Sequence, residues 1–217
     1  MADPEEAFAR VPPSPPAAAV AVCEARLPLM VRFAGLLAGT GVDHGLIGPR
    51  EVPRLWDRHL LNCAVIEDAF PAGARVLDIG SGAGLPGLAV AIVRPDLEMV
   101  LVEPMLRRTT WLEAAVAELG LDNVTVVRGR AEDLKGTLIA PWATARAVAA
   151  LDRLARWTFP LLRPGGTLVA MKGATAGQEL ETHTKALRRA GMVSAVVTPH
   201  GEAVLDRPSL TVDLVRR

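Results

Sequence analysis

The sequence predicts an α/β protein with a seven-stranded, mostly parallel sheet that closes with an antiparallel hairpin, preceded by a helical extension. From residue 74 onward, short β-branched runs alternate with helical stretches, which is typical of parallel βα units. Two further β runs are joined by a turn-rich loop with no room for a helix, so they should pair antiparallel. The predicted strands are 74–79, 97–103, 123–128, 142–148, 167–172, 193–198 and 210–215, and the helices among them are 85–93, 105–119, 151–162 and 177–190.

The first third of the chain is predicted to be a tail followed by the helical extension. Residues 1–16 carry five prolines and are expected to be disordered. Residues 17–70 are expected to form the extension, and residues 71–217 the main domain. Pro28 should break the first helical stretch, which leaves a second helix over residues 29–38.

A glycine-rich loop and a further helix complete the predicted extension. Four glycines within residues 39–48 predict a loop. Helical periodicity returns over residues 51–69, where Pro53 suits the first turn of a helix.

Composition narrows the possible classes of protein. The chain has 217 residues, enough for one sizeable domain, and its 24 Lys and Arg equal its 24 Asp and Glu. Net charge therefore does not indicate a nucleic-acid-binding protein. No apolar run reaches the roughly 20 residues of a membrane span and no secretion signal is visible, so we expect a cytoplasmic protein without membrane contact. Cys23 and Cys63 lack CxxC spacing and clustered histidines, so neither a disulfide nor a metal site is predicted.

The most informative stretch is RVLDIGSGAGLPG at residues 75–87. A buried strand runs into glycines, where the backbone can turn sharply and a ligand can approach without interference from Cβ atoms. Gly82, Gly84 and Gly87 also fit the GxGxxG pattern of dinucleotide-binding proteins. That match alone is weak, so it does not decide the cofactor.

Two residues around these glycines favour S-adenosyl-L-methionine over a dinucleotide. Asp78 precedes the first glycine, as in the DxGxGxG loop of class I S-adenosylmethionine-dependent methyltransferases, and this resemblance implies that it orders the loop. Pro86 stands where a pyrophosphate would need free backbone N–H groups. Five parallel βα units closed by a hairpin also match the Rossmann-like sheet of that class. We therefore predict that Asp78 and Gly82 contribute to a binding site for S-adenosyl-L-methionine.

Acidic residues follow the second and third predicted strands. Glu103 ends the second strand about 20 residues after the glycines, where a carboxylate can accept hydrogen bonds from both ribose hydroxyls. The alternative is a helix N-cap or first-turn acid. The loop after the third strand contains Glu132, and in class I methyltransferases an acid-containing loop here flanks the adenine. A solvated turn is the alternative for that loop.

Two cations end the fourth and fifth predicted strands, and we predict both as catalytic. Arg146 and Lys172 place fixed positive charge at the rim of the site, where they would position the cofactor and the substrate. Structural pairing of Arg146 with Asp78 or Glu132 is the alternative. No Asp/Asn-Pro-Pro-aromatic loop is present, and Cys63 lies outside the core sheet, so neither amino-group methylation nor a cysteine nucleophile is indicated.

The helix over residues 51–69 carries further candidates. His59 falls on its apolar face, where a core histidine is favoured over a substrate contact. Arg50, Arg54 and Arg58 recur at four-residue intervals and could follow an RNA backbone. A solvated helix face explains the same spacing equally well.

Four motifs carry a family resemblance. They are RHLLN at 58–62, DIGSGAGLPG at 78–87, ARAVA at 145–149 and MKG at 171–173. The combination of these motifs is far more specific than any one of them. On this combination the chain closely resembles the RsmG family, also called GidB. The resemblance covers residues 29–217. A departure lies at 44–48, which reads HGLIG where family members often have Asn-Leu-Thr.

The resemblance implies a methyltransferase domain over residues 71–217 that methylates N7 of a guanosine in the decoding-region loop of 16S rRNA. Its partner would be 16S rRNA, the 30S subunit or an assembly intermediate, and a monomer is expected. The cofactor contacts carried over by position are Gly80, Leu85, Ala131, Glu132 and Arg146. The alternatives are a class I methyltransferase with a different substrate, a binding module without activity and a NAD-dependent oxidoreductase.

Overall fold

A computed structural model describes residues 11–217, so residues 1–10 of the predicted tail lie outside the described part. The strands are β1 (Arg75–Ile79), β2 (Glu98–Glu103), β3 (Val124–Arg128), β4 (Ala140–Arg146), β5 (Leu162–Lys172), β6 (Met192–His200) and β7 (Ser209–Arg216). They form one sheet in the order β3-β2-β1-β4-β5-β7-β6. The first five strands are parallel, and β7 pairs antiparallel with both β5 and β6. The predicted fold class is confirmed.

Helices precede the sheet and cover both of its faces. The α-helices are α1 (Ala17–Cys23), α2 (Leu27–Leu36), α3 (Leu61–Ala64), α4 (Gly87–Val93), α5 (Leu106–Leu119), α6 (Leu151–Thr158) and α7 (Ala176–Arg189). The 3-10 segments are Glu24–Arg26, Pro49–Arg54, Val65–Ala69, Ala131–Leu134 and Phe159–Leu161, and the π-helical segments are Leu37–Gly41 and Leu55–Leu60. Within residues 11–217, no helix is both long and apolar enough to cross a bilayer.

The central strands β1 and β2 are buried on both faces, which explains their nearly continuous apolar sequences, whereas the edge strand β6 is largely exposed or half-buried. Alternate residues of a strand point to opposite faces, so Val76 and Leu77 enter different cores. One core contains residues of α4 and α5, and the other contains residues of α6 and α7.

The helical extension packs on the same face as α4 and α5. Phe33, Leu37 and Leu60 are fully buried in the core that also holds these two helices. The indole Nε1 of Trp111 on α5 donates a hydrogen bond to Thr40 Oγ1 at 3.0 Å. The extension therefore covers one side of the sheet and supplies part of its core.

The extension differs from the prediction in three places. The second helix begins at Leu27 rather than at residue 29, because Pro28 is tolerated in the first turn of a helix. The predicted loop over 39–48 begins too early, because the π-helical segment continues α2 through Gly41. Burial of Leu37 and Ala38 outweighs the low helix propensity of glycine there. The predicted helix over 51–69 is helical but irregular, with Pro53 inside its opening 3-10 turn. In the described part of the tail, Trp56 Nε1 donates to the Pro13 carbonyl at 2.8 Å. Disorder of the tail stays a prediction.

Element boundaries in the main domain shift by a few residues. Strand β4 ends at Arg146 rather than at residue 148, because Ala147 adopts a positive φ of 55°. Helix α6 gives way to a 3-10 turn at Phe159, next to Pro160, and β5 starts at Leu162 rather than at residue 167. Helix α4 starts at Gly87, two residues later than predicted.

Helix α4 packs against the sheet so closely that its first residue has room only for glycine. A Cβ atom at Gly87 would lie 2.4 Å from Leu101 Cδ2 and 2.6 Å from Asp78 Oδ2. The Gly87 amide donates to that same carboxylate oxygen at 3.1 Å. The helix start is therefore held against β1 and β2 at a distance that any side chain would increase.

We expect Gly87→Ala to lower the free energy of unfolding by about 2 kcal/mol, because the new methyl group overlaps buried atoms. Gly177→Ala is the matched control, since Gly177 also lies at the start of a helix but has no atom within 4 Å of its Cβ position. That variant should be neutral or slightly more stable. Urea unfolding of both variants measures the difference. Equal midpoints for the two variants would contradict the packing argument.

Candidate active site

A cavity of about 680 Å³ opens at the carboxyl ends of the parallel strands. It lies beside β1, whose neighbours β2 and β4 mark the point where the strand order reverses. Ligands of open α/β sheets bind in this crevice. The lining comes from the glycine loop, the segments after β2, β3 and β4, helix α6, and the extension. Every segment that was predicted to contribute to a cofactor site therefore borders one cavity.

The glycine loop forms one wall of the cavity. Gly80 has a φ of 73°, and a Cβ atom there would lie 2.9 Å from Val148 Cγ2. Its amide and that of Ser81 donate to the Val102 carbonyl at 2.8 and 3.2 Å, which ties the loop to β2. Gly82 has a φ of 57° and faces the cavity with its backbone. Both glycines allow a ligand to approach the main chain directly.

Asp78 lies beneath this wall and does not line the cavity. Its side chain is fully buried, its Oδ2 accepts the Gly87 amide, and its carbonyl accepts the Ser81 hydroxyl at 2.9 Å. Burial raises the pKa of this carboxyl from 3.8 to about 7, although the hydrogen bond from Gly87 opposes the shift. Asp78 thus orders the loop as predicted, and its direct contact with a cofactor stays a prediction.

Glu103 lines the cavity at the end of β2 and connects two of its walls. Its Oε2 accepts the Gly82 amide at 3.1 Å, and its Oε1 accepts the Met105 amide at 3.0 Å. Arg108 Nη1 lies 3.6 Å from Oε2. Glu103 is neither the N-cap of α5, which is Met105, nor an acid of its first turn, but its carboxylate accepts the N-cap amide. A carboxylate has about four acceptor positions, so this one can still accept ribose hydroxyls.

Leu85, Ala131 and Glu132 also line the cavity. Leu85 and Ala131 are buried, whereas Glu132 is exposed at the start of the 3-10 turn that follows β3. The Gly129 amide donates to the Glu103 carbonyl at 3.2 Å, which fixes this turn beside β2. The three residues are thus on the cavity wall, and their cofactor contacts stay predictions.

Arg146 lines the cavity and is held by the extension. Its Nη2 donates to His59 Nδ1 at 2.9 Å, and its Nη1 donates to the Arg58 carbonyl at 3.3 Å. Among the described residues no ion pair joins Arg146 to Asp78 or Glu132, although the charge of Arg146 acts on the buried Asp78 carboxyl and opposes the rise of its pKa. His59 is 8% exposed and its polar atoms are paired, which agrees with a core histidine.

Lys172 is not brought to the cavity with Arg146. Its Nζ donates to Glu179 Oε1 at 2.8 Å and to the Ala149 carbonyl at 2.9 Å. The same carboxylate oxygen accepts the Leu151 amide at 3.0 Å. Lys172 thereby fixes the segment between β4 and α6, and its catalytic role stays a prediction.

Other residues of the cavity were not predicted. Arg108, Arg130 and Trp157 line it, together with Leu46 and Ile47 from the extension. A basic residue in the first turn of the helix after Glu103 was a usable signal for Arg108. No spacing in the sequence identifies Trp157. Residues 44–48 depart from the family pattern, and nothing in that departure indicates that Leu46 and Ile47 line the cavity.

The outer face of the extension carries the predicted arginine stripe. Arg50, Arg54 and Arg58 are exposed, and Arg58 Nε lies 3.5 Å from Glu51 Oε2. This placement fits both a solvated face and an RNA contact. Within residues 11–217, no group of three or more metal-binding side chains occurs.

Comparison with known proteins identifies the family. A profile of the family described as rRNA small subunit methyltransferase G matches residues 26–207. "Ribosomal RNA small subunit methyltransferase G" of Pseudarthrobacter chlorophenolicus is 54% identical over 190 residues, which is 88% of either chain. The protein of the same name from Streptomyces avermitilis is 54% identical over 205 residues, covering 94% of this chain and 86% of its own.

Solved structures agree on the fold. A SAM-dependent methyltransferase from Aquifex aeolicus superposes with a TM-score of 0.56 at 16% identity, over 82% of this chain and 98% of that one. The family match covers most of the sheet and the extension, including every residue of the cavity wall. The chain belongs to the rRNA small subunit methyltransferase G family.

Proposed function

We propose that this protein transfers the methyl group of S-adenosyl-L-methionine to N7 of a guanosine in 16S rRNA. The observation that carries the proposal is the cavity at the carboxyl end of β1, where the glycine loop and Glu103 meet in a chain of this family. The relatives are named for small-subunit ribosomal RNA, which supports the substrate.

The residues present fit S-adenosyl-L-methionine. Glu103 offers carboxylate oxygens for ribose hydroxyls, and the glycine loop leaves its backbone open toward the cavity. Ala131 and Glu132 would flank the adenine, and Gly80, Gly82 and Leu85 would hold the methionine end. When bound, the cofactor supplies an electrophilic methyl group on a positively charged sulfur.

Methylation at N7 requires the protein mainly to position the two reactants. Guanine N7 carries a free lone pair and remains an acceptor even in a Watson–Crick pair. No proton has to leave before N7 reacts, so a general base is not required. Holding the two reactants in place can supply roughly 7 to 11 kcal/mol of the barrier. The deep major groove of A-form RNA hides N7, so the target guanosine should lie in an irregular loop.

Arg146 is the residue to which we assign electrostatic positioning of cofactor and guanine. Its guanidinium lines the cavity and can donate to guanine O6 or to a phosphate. Lys172 was predicted to share this role, and its contacts with Glu179 and Ala149 support an indirect part in it, through the segment that follows Arg146.

We further infer that the protein works in the cytoplasm as a monomer, on 16S rRNA or on an assembling 30S particle. Ribosomal RNA as the substrate supports the compartment. Large exposed apolar side chains are few and scattered in the described part of the chain, which favours a monomer. The exposed Arg130 on the cavity wall and the exposed Arg58, whose carbonyl binds Arg146, support a contact with phosphates.

The test uses a labelled methyl donor with naked 16S rRNA, 30S particles and free nucleosides side by side. We expect label in rRNA or in the particle, recovered as N7-methylguanosine by mass spectrometry of the digested RNA. Label at another base or in no RNA would refute the proposed function. Calorimetry with S-adenosylhomocysteine and with NAD separates the cofactor classes, and tight binding of NAD alone would refute the methyltransferase assignment.

We expect Arg146→Ala to reduce methyl transfer by about 100-fold or more, the typical cost of removing one preorganised donor. Arg156→Ala is the matched control, because Arg156 is exposed, does not line the cavity and pairs with Asp152 on its own helix at 3.1 Å. Both variants should melt close to the wild type. Near-normal turnover of Arg146→Ala would remove this residue from the mechanism.

We expect Glu103→Gln to weaken binding of S-adenosylhomocysteine about 10-fold, because one amide group cannot accept from both Gly82 and Met105 as the carboxylate does. Glu98→Gln is the control at the other end of the same strand, where Glu98 pairs with Arg75 at the surface. Isothermal titration calorimetry measures both. Equal affinities would show that Glu103 does not organise the cofactor site.

A further inference from the structure

Three polar side chains form a chain from the extension to the cavity. Arg146 Nη2 lies 2.9 Å from His59 Nδ1, and His59 Nε2 lies 2.7 Å from Glu51 Oε2. Arg146 and His59 are 87 positions apart in sequence. Only Arg146 lines the cavity, so the other two residues stand behind it.

The chemistry of the partners fixes the protonation state of His59. A guanidinium can only donate hydrogen bonds, so Nδ1 must present its lone pair. A carboxylate can only accept, so Nε2 must carry the proton and donate it to Glu51. His59 is therefore neutral, with its hydrogen on Nε2, whenever both contacts are formed. This state makes the histidine a connector between an anion and a cation.

The surroundings keep His59 in this state. The charged groups that face it are Glu51, Arg58 and Arg146. Burial lowers the pKa of His59 below its ordinary value of 6.5 and the charge of Arg146 lowers it further, whereas the contact with Glu51 opposes the shift. On the far side, the guanidinium lies within electrostatic reach of Asp78 and of Cys63, a thiol whose pKa burial raises to about 11.

We propose that Glu51 and His59 are positioning residues for Arg146, so that the helical extension completes the methyl-transfer site. Glu51 holds the imidazole, the imidazole accepts one guanidinium N–H, and the Arg58 carbonyl accepts another at 3.3 Å. These contacts hold the guanidinium of Arg146 in one orientation at the cavity. This inference rests on the proposed function only where it concerns methyl transfer, since the contact itself does not depend on the substrate.

A pH dependence follows from the direction of the hydrogen bonds. A proton on Nδ1 would remove the acceptor for Arg146 and place two cations side by side. Positioning of Arg146 should therefore be lost on the acid side, below the ordinary histidine pKa. An asparagine at position 59 can present an amide oxygen where Nδ1 stood, and that acceptor does not titrate.

The activity test compares His59→Asn, His59→Leu and the control His183→Asn across pH 5 to 8. His183 is remote from the cavity and, like His59, stands beside a carboxylate, with Nδ1 3.4 Å from Asp152. We expect His59→Leu to lose about 10-fold or more in turnover, and His59→Asn to stay within about 3-fold at pH 7.5 while losing the acid-side decline. Wild-type turnover in His59→Leu, or an unchanged acid-side decline in His59→Asn, would overturn the proposal.

A second measurement needs no substrate. Nitrogen-15 NMR of the His59 ring should show the proton on Nε2 in the wild-type protein and a higher pKa in Arg146→Ala, because the neighbouring cation is gone. A ring protonated on Nδ1, or a pKa that does not respond to Arg146→Ala, would overturn the positioning contact. If the ring behaves as expected and no rRNA is methylated at any pH, the proposed function fails and the contact stands.

Discussion

The hydrogen bond between the Gly87 amide and the Asp78 carboxylate is the constraint on which the site depends. It joins the end of β1 to the first turn of α4. The residues between them, 80–86, are therefore held in the tight loop that forms one wall of the cavity. The first amides of a helix have no acceptor within the helix, so they favour a negatively charged partner. Burial nevertheless raises the pKa of Asp78 to about 7, so the loop is fixed by a carboxyl group whose charge is costly to keep. Glu103 repeats the arrangement one strand away, where its two oxygens hold Gly82 and Met105.

The extension belongs to the active centre as much as to the core. Its apolar side chains cover the sheet beside α4 and α5, and Leu46 and Ile47 reach the cavity wall. Through Arg58 and His59 it also holds the one guanidinium that β4 delivers to the site. Without the extension, the side chain of Arg146 could adopt several rotamers. Its two hydrogen bonds to the extension select one of them.

Sequence reasoning succeeded where local chemistry decides the outcome. The parallel strands, the antiparallel hairpin, the glycine loop and the position of Glu103 all follow from short patterns whose physical reasons are local. It failed where distant residues decide, as in the helical continuation through Gly41, which depends on burial of Leu37. The ion pair between Lys172 and Glu179 and the contact between Arg146 and His59 likewise depend on how separate elements meet. No spacing within either motif encodes those partners.

The sheet order has a consequence for how the enzyme is made. Strand β7 lies between β5 and β6, although it follows both in the chain. During synthesis β5 therefore keeps an open edge of amides and carbonyls until β7 has emerged, because its partner on that side in the folded sheet is β7 and not β6. Newly made chains thus expose this edge from the synthesis of residue 172 until that of residue 216.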